Sequence, residues 1–306
     1  MFGMHRNRLG RRKAAGRIRL GIQIAFAALF NGYVAGFSKG SIYTGPFKSV
    51  CVPVLNCYSC PGALGACPIG SLQAVAGGHS RSFSFYAVGI LALAGVVIGR
   101  VVCGFMCPFG LVQDLLYRIR VPKISVPKAA DKKMRLIKYV ILFLVVMIIP
   151  AVVSNANGIS EPFFCKYLCP AGTLEAGIPL LLKNKSLRAA AGSLFIWKAL
   201  LLAVFIIFAM TTSRCWCKYL CPLGAFYALF SKVSVFNLDI DKKRCTGCGA
   251  CSAVCPMDID VQNDIGGAEC IKCGKCSSVC ASSCIHVSVC GLNKEADFGR
   301  TNQVKQ

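Results

Sequence analysis

The chain has 306 residues, 55% of them hydrophobic, with a mean hydropathy of +0.60 and a formal charge of +23. Only 15% of its residues are charged, against about 25% in ordinary soluble domains; this excludes a disordered chain, and apolar bulk with basic loops is a membrane signature rather than a nucleic-acid footprint. Its 21 cysteines are odd in number, so disulfides cannot take them all, and metal ligation is the leading alternative.

Residues 1–19 are a basic segment carrying Arg6, Arg8, Arg11, Arg12, Lys13, Arg17 and Arg19. No cleavage pattern follows it, so the first apolar run is expected to be a retained helix. The apolar runs are Leu20–Ser38, Phe83–Gly99, Leu136–Val153 and Leu194–Thr212. At about 1.5 Å per helical residue each approaches the ~30 Å hydrocarbon core. They contain no acidic residue, and Lys198 lies near one end, where it can snorkel. The competing reading, buried helices of a soluble protein, predicts polar faces at helical spacing; Ile141–Ile149 has none. Basic residues crowd the N-terminus and the connection at 100–135. By the positive-inside rule both termini are expected in the cytoplasm, in a four-helix membrane part over residues 20–235.

A local phrase recurs four times: Cys67-Pro-Ile-Gly, Cys107-Pro-Phe-Gly, Cys169-Pro-Ala-Gly and Cys221-Pro-Leu-Gly. Three copies are preceded at minus four by Cys103, Cys165 and Cys217; the first is preceded by Cys57 and Cys60-Pro61. Proline suits the first helical position, so each of these cysteines is expected at a helix N-cap, facing free amides and the positive helix end. The order of spans and Cys-Pro elements reads as a two-fold repeat of two-helix units. It places Cys103, Cys107, Cys217 and Cys221 at the inner face, where four thiolates suit one [4Fe–4S] cluster. It places Cys57, Cys60, Cys67, Cys165 and Cys169 at the outer face, with Cys51 a further candidate. That group can hold another cluster, form disulfides, or work as a redox dithiol. Cys215 is read as a spectator. Asp114, Glu161 and Glu175 flank these elements and are read as helix-capping or interfacial charge.

Eight of the twelve acidic residues lie beyond Phe236. There Cys245-x2-Cys248-x2-Cys251-x3-Cys255-Pro is followed by Cys270-x2-Cys273-x2-Cys276-x3-Cys280. Each compact run wraps three thiolates around one cubane, and the fourth cysteine reaches the other. The expected sets are Cys245, Cys248, Cys251 and Cys280, and Cys270, Cys273, Cys276 and Cys255. Zinc also takes Cys-x2-Cys pairs, but three evenly close cysteines before Cys-Pro are untypical of it. The segment resembles bacterial two-cluster ferredoxins, a small α+β domain over residues 236–290, followed by a tail at 291–306. Cys284 and Cys290 have no slot in this scheme and are read as small buried hydrophobes. His286 falls in a short strand expected at Ile285–Val289.

Over roughly residues 80–285 the chain resembles the membrane polyferredoxin family of the NapH and NosR type, with Cys103–Pro108 and Cys217–Pro222 matching the family's motif pair. That resemblance implies a membrane-bound iron–sulfur electron-transfer subunit rather than a stand-alone enzyme, in a bacterial cytoplasmic membrane. Its donor would be a cytoplasmic ferredoxin-like or flavoprotein-like partner, or a quinone, and its acceptor extracytoplasmic. The alternative is a redox sensor or assembly scaffold controlling a membrane partner. Haem is not expected, since His5, His79 and His286 lie outside the spans, and no nucleic-acid partner is expected. One difficulty stands out: inner and outer sites at opposite faces of a ~30 Å core require either Cys-Pro segments that dip into the bilayer or a bridging quinone or subunit.

Overall fold

The computed structural model describes residues 2–77, 85–124, 126–153, 161–289 and 292–294, with side chains described from residue 14 to residue 289. The side chain of His5, and His79 and Cys290 entirely, lie outside this range. Of the expected tail only Leu292–Lys294 is described.

The fold is mainly helical. Among the described residues, two helices are long and apolar enough to cross a membrane: Lys128–Val152, with 25 residues, and Ser193–Thr211, with 19. Their outward faces carry exposed Phe143, Ile148, Ile196, Leu200, Ile207 and Phe208. An unpartnered apolar surface of this kind is what lipid covers. The other two expected spans differ from their sequence bounds. Phe85–Val97 is a helix that ends before Gly99, and residues 83 and 84 of the expected span lie outside the described residues. The first helix runs Phe2–Phe30 and breaks at Asn31–Tyr33 before a short helix at Val34–Lys39.

That break has a local cause. The Asn31 side chain bonds back to the Ala27 carbonyl, and the Tyr33 N–H leaves the helix for the Gly62 carbonyl. The 51–67 loop packs into the notch so closely that a Cβ on Gly36 would lie 2.2 Å from the Pro61 oxygen. This loop is buried rather than surface-lying: Val54, Leu55 and Asn56 are at most 2% exposed. Buried irregular backbone at membrane depth is tolerated only within protein. Here Lys48 donates to the Ala63 carbonyl and Tyr227 to the Pro53 carbonyl.

The C-terminal part is a three-stranded antiparallel sheet, β1 (Phe236–Ile240), β2 (Ile285–Val289) and β3 (Leu292–Lys294), in the order β1-β2-β3. Phe236 pairs with Val289 and Ile240 with Ile285. Three short helices, Ala250–Ala253, Val261–Asp264 and Lys275–Val279, stand between β1 and β2 in the chain.

This part is clamped to the helical part by buried charge. Glu269 accepts from Lys138 at 2.6 Å and from Arg100 at 3.1 Å, and Lys138 and Arg100 have fully buried side chains. Arg135 reaches the Met257 carbonyl at 2.7 Å, and Ser213 the Pro256 carbonyl at 2.5 Å. The expected inner segments, 100–135 and 213–221, therefore face the ferredoxin-like part.

Candidate metal centres

The two cysteine runs of the C-terminal part fold the same way. Gly247 and Lys272, each two residues after the first cysteine of its run, have φ of 68° and 51°; Gly249 and Gly274 have 70° and 71°. Asp258 and Ser283, each three residues beyond the last cysteine, also have positive φ. Left-handed backbone at these points turns successive amides toward one centre. At Lys272 a side chain pays for that conformation, and its ammonium is held by the Ser231 and Phe236 carbonyls and the Ser234 hydroxyl. Cys255, Cys270, Cys273 and Cys276 line one small cavity. In the other expected set Cys251 is buried and Cys248 exposed. Cys280 Sγ lies 3.3 Å from Cys284 Sγ, so Cys284 is buried as expected yet touches an expected ligand.

All four Cys-Pro elements start a helix with cysteine at the N-cap and proline just inside. In each, the N–H of the shared glycine faces the sulfur: Gly70, Gly110, Gly172 and Gly224, the last at 3.3 Å. Cys103 and Cys165 lie in single π-helical turns, Val102–Met106 and Phe164–Leu168, a distortion frequent at functional sites.

These elements pair across the chain by one repeated device. Gln113, six residues after Cys107, donates to Cys217 Sγ at 3.2 Å and accepts the Trp216 N–H at 3.1 Å. Gln73, six residues after Cys67, donates to Cys165 Sγ at 3.3 Å and accepts the Phe164 N–H at 2.9 Å. Each glutamine thus locks one Cys-Pro helix onto the Cys-x3-Cys turn that completes its site.

The first pairing gathers Cys103, Cys107, Cys217 and Cys221, all buried. Burial and the repulsion of neighbouring thiolates push the Cys103, Cys107 and Cys221 thiols upward, Cys107 to about 12. Two guanidiniums stand beside them. Arg214 donates to the Cys103 carbonyl at 2.5 Å and forks onto Asp114 at 2.6 and 3.1 Å. Asp114 also pairs with Arg19 at 2.5 Å. Burial opposes its ionisation, but Arg214 and Arg19 prevail and hold its carboxyl well below the usual range. Arg100 keeps Nε and Nη2 buried without a hydrogen-bond partner, and Nη2 would lie 3.5 Å from a Cβ on Gly224.

The second pairing surrounds a cavity of about 630 Å³ lined by Cys57, Cys67, Cys165 and Cys169. Cys57 takes the place of the absent cysteine four residues before Cys67. Cys60 is not in the lining; its tight turn aims the thiol at Asn31 Oδ1, 3.7 Å away. Cys51 is also apart, in a bridge to Ala66 beside Ser71. Burial lifts Cys57 to about 12. Glu175 accepts the Cys57 N–H at 2.8 Å, and burial raises its carboxyl to about 7. Lys198 does not snorkel: it donates to the Cys165 carbonyl at 3.0 Å and lines the cavity.

A four-thiolate cubane fits both places. Buried thiols held protonated need a metal's charge to ionise, and an anionic cluster would satisfy the orphaned guanidinium nitrogens of Arg100. Among the described residues no three His, Cys, Asp or Glu side chains converge as they would on a single ion; the thiols of the second pairing enclose a volume instead.

The sequence reading passes over Gln73, Gln113, Lys138, Arg100 and Arg214. Asp114 and Glu175 read as interfacial charge, whereas both are half-buried partners of the sites. Only Glu161 fits that description, pairing with Lys166 at the surface at 2.5 Å. The glutamines had one visible signal, their shared place six residues after Cys67 and Cys107.

A 4Fe-4S binding domain family matches residues 82–127, 139–187 and 194–241, and a 4Fe-4S dicluster domain matches 237–281. The chain is 31% identical to the uncharacterized protein MJ0749 of Methanocaldococcus jannaschii, over 58% of this chain and 59% of that one. It is 29% identical to the methylamine utilization ferredoxin-type protein MauN of Methylorubrum extorquens, over 52% and 48%. It is 26% identical to the ferredoxin-type protein NapH of Haemophilus influenzae, over 62% and 59%. The matched stretches thus span about half of these relatives' length. No solved structure matches.

Proposed function

Since the chain belongs to the polyferredoxin family, we propose that it is an iron–sulfur electron-transfer protein of a bacterial cytoplasmic membrane, with four [4Fe–4S] clusters in series. The two ferredoxin clusters take Cys245, Cys248, Cys251 and Cys280, and Cys270, Cys273, Cys276 and Cys255. The inner membrane cluster takes Cys103, Cys107, Cys217 and Cys221. The outer takes Cys57, Cys67, Cys165 and Cys169, with Cys60 left out. Both termini lie in the cytoplasm, where a ferredoxin- or flavoprotein-like partner meets the ferredoxin clusters, and the outer site serves an extracytoplasmic partner.

The observation that carries this reading is the repeated glutamine device, which builds two buried four-thiol sites from elements about 100 residues apart. A cubane supplies reversible one-electron chemistry when bound. The protein's own residues do the rest. Glycine amides, Gln73 and Gln113 point hydrogen-bond donors at sulfur, and the buried arginines balance the charge of the inner site. A short step joins that site to the ferredoxin part: a Cβ on Gly104, next to Cys103, would sit 2.6 Å from the Ile271 oxygen and 3.8 Å from Cys273 Cα. Only glycine allows this approach, which seats the inner site directly on a ferredoxin ligand loop.

The test is anaerobic purification with iron and acid-labile sulfide analysis, followed by EPR through a redox titration. Four cubane equivalents are expected. Two equivalents, unaltered by Cys103→Ser or Cys165→Ser, would end the membrane-cluster reading. Impermeant thiol labelling of intact cells, with apo-protein controls, checks the sidedness: Cys165 is expected to label and Cys103 to be protected.

A further inference from the structure

The two membrane sites are neighbours. The buried 51–67 loop brings them together. The Leu55 N–H faces Cys107 Sγ of the inner site, while Leu55 and Cys57 line the outer cavity. Two residues of chain span about 7 Å at most, so the backbone that faces an inner ligand lies within a dipeptide of an outer one.

A second contact runs parallel to it. Trp216 immediately precedes Cys217 of the inner site, and Phe164 immediately precedes Cys165 of the outer site. Their rings lie 6.4 Å apart, tilted by 45°. Phe109, two residues after Cys107, stands 6.1 Å from Trp216. All three rings are buried, Phe109 and Phe164 completely. Their backbones are tied to the same glutamines that complete the sites, so ring and ligand are positioned together. Trp216 Nε1 is buried without a partner, which is unfavourable for a polar group. An aliphatic side chain would fill the space without that cost, so packing alone does not explain the indole.

We propose that single electrons pass directly between the inner and outer clusters, through the strip formed by Leu55–Cys57 and the Phe164–Trp216 pair, with no quinone or other mobile carrier between them. This rests on the four-cluster reading above. In each event one cluster loses one electron and the other gains it; no bond is made or broken, and the apolar strip moves no proton. The dry surroundings also favour the step, because little solvent must reorganise when the charge moves.

The experiment uses the full chain, purified anaerobically and extracted free of quinone, with a reduced two-cluster ferredoxin as donor, a protein too large to enter the outer cavity. Freeze-quench EPR follows the signal that Cys165→Ser removes. We expect that signal to develop without added quinone, and the fully reduced protein to show spin–spin splitting between inner and outer clusters. Trp216→Leu and Phe164→Leu should each slow reduction of the outer cluster by roughly tenfold, equivalent to about 1.4 kcal/mol of barrier. Iron content and the rate at the inner cluster should be retained. Trp216→Phe should restore the rate to within about twofold. An outer signal that appears only after menaquinol is added, or the absence of splitting, overturns the direct path while leaving four clusters standing. If no Cys165-dependent signal exists and iron accounts for three clusters, the outer site of the proposed function fails, and this inference with it. Should a leucine variant lose iron, the splitting in the unmodified protein still decides the question.

Discussion

At the site nearer the ferredoxin part, two buried guanidiniums face the cysteines, with Asp114 binding Arg214 from behind. At the other site the ammonium of Lys198 lines the cavity and that of Lys48 lies near Cys57, while Glu175 brings a carboxyl group to the Cys57 amide. Both sites have four thiols, four-residue cysteine spacing in at least one element, an N-cap glycine amide and a bridging glutamine. The scaffold that holds a cluster is therefore repeated, and the charge that tunes it is not. Positive charge beside a cluster stabilises its reduced, more negative state and negative charge opposes it, so the inner cluster should be the easier of the two to reduce.

The comparison breaks most sharply with ligand substitutions. Cys217→Ser is expected to remove the inner cluster alone and Cys165→Ser the outer alone, each lowering iron by one cubane equivalent. Loss of both from either substitution would mean that the sites are one cooperative unit.

A smaller effect is expected from Asp114→Asn. Removing one partner from a buried ion pair costs about 3–5 kcal/mol, here by stranding Arg214 beside Cys103. Thermal unfolding followed at the inner EPR signal should shift, with the outer signal lost last. The same pair gives a pH dependence. Asp114 has a lower pKa folded than unfolded, and the unfolded value is about 3.9. Its stabilisation is therefore complete at neutral pH and disappears as pH falls below that value toward the folded one. Acid unfolding of Asp114→Asn should lack this component; an identical acid profile in both proteins would remove Asp114 from the account.

Charge removal beside the clusters comes next. Arg100→Gln should lower the inner potential by on the order of 50–100 mV, the Coulomb effect of one charge at short range in a partly polarisable interior. Lys198→Met should lower the outer potential by a similar amount and leave the inner one in place. The smallest effect belongs to the matched pair Gln113→Leu and Gln73→Leu. Each removes one hydrogen bond to sulfur, worth about 1 kcal/mol, and should lower its own cluster's potential by on the order of tens of mV. Equal shifts in the two sites would show that the glutamines do the same work in both.

Much of the site was legible in the chain. The Cys-Pro phrases predicted N-cap cysteines at residues 67, 107, 169 and 221, and all four are there, because proline and a following glycine constrain backbone only a few residues away. The left-handed turns at Gly247, Gly249 and Gly274 follow from the same short-range logic. The four-span repeat was less well foreseen. The run Leu20–Ser38 carries no charge, yet it breaks at Asn31 because a loop thirty residues later claims its amides. The places of Lys198 and Asp114 are not legible in the chain, because a charged residue beside an apolar run gives no sign of whether it turns outward or into a cavity.

Composition, spacing and the Cys-Pro phrases decided what kind of ligand this protein holds and where helices start, since those depend on contacts along the chain. Packing alone decided which cysteines share a site: why Cys57 enters the outer set and Cys60 does not, why Gln113 meets Cys217, and why two sites expected to lie a bilayer apart are joined by Leu55 and Cys57. Such pairings join elements far apart in the chain, and their free energy comes from burying a loop whose backbone can be satisfied only by the helices around it.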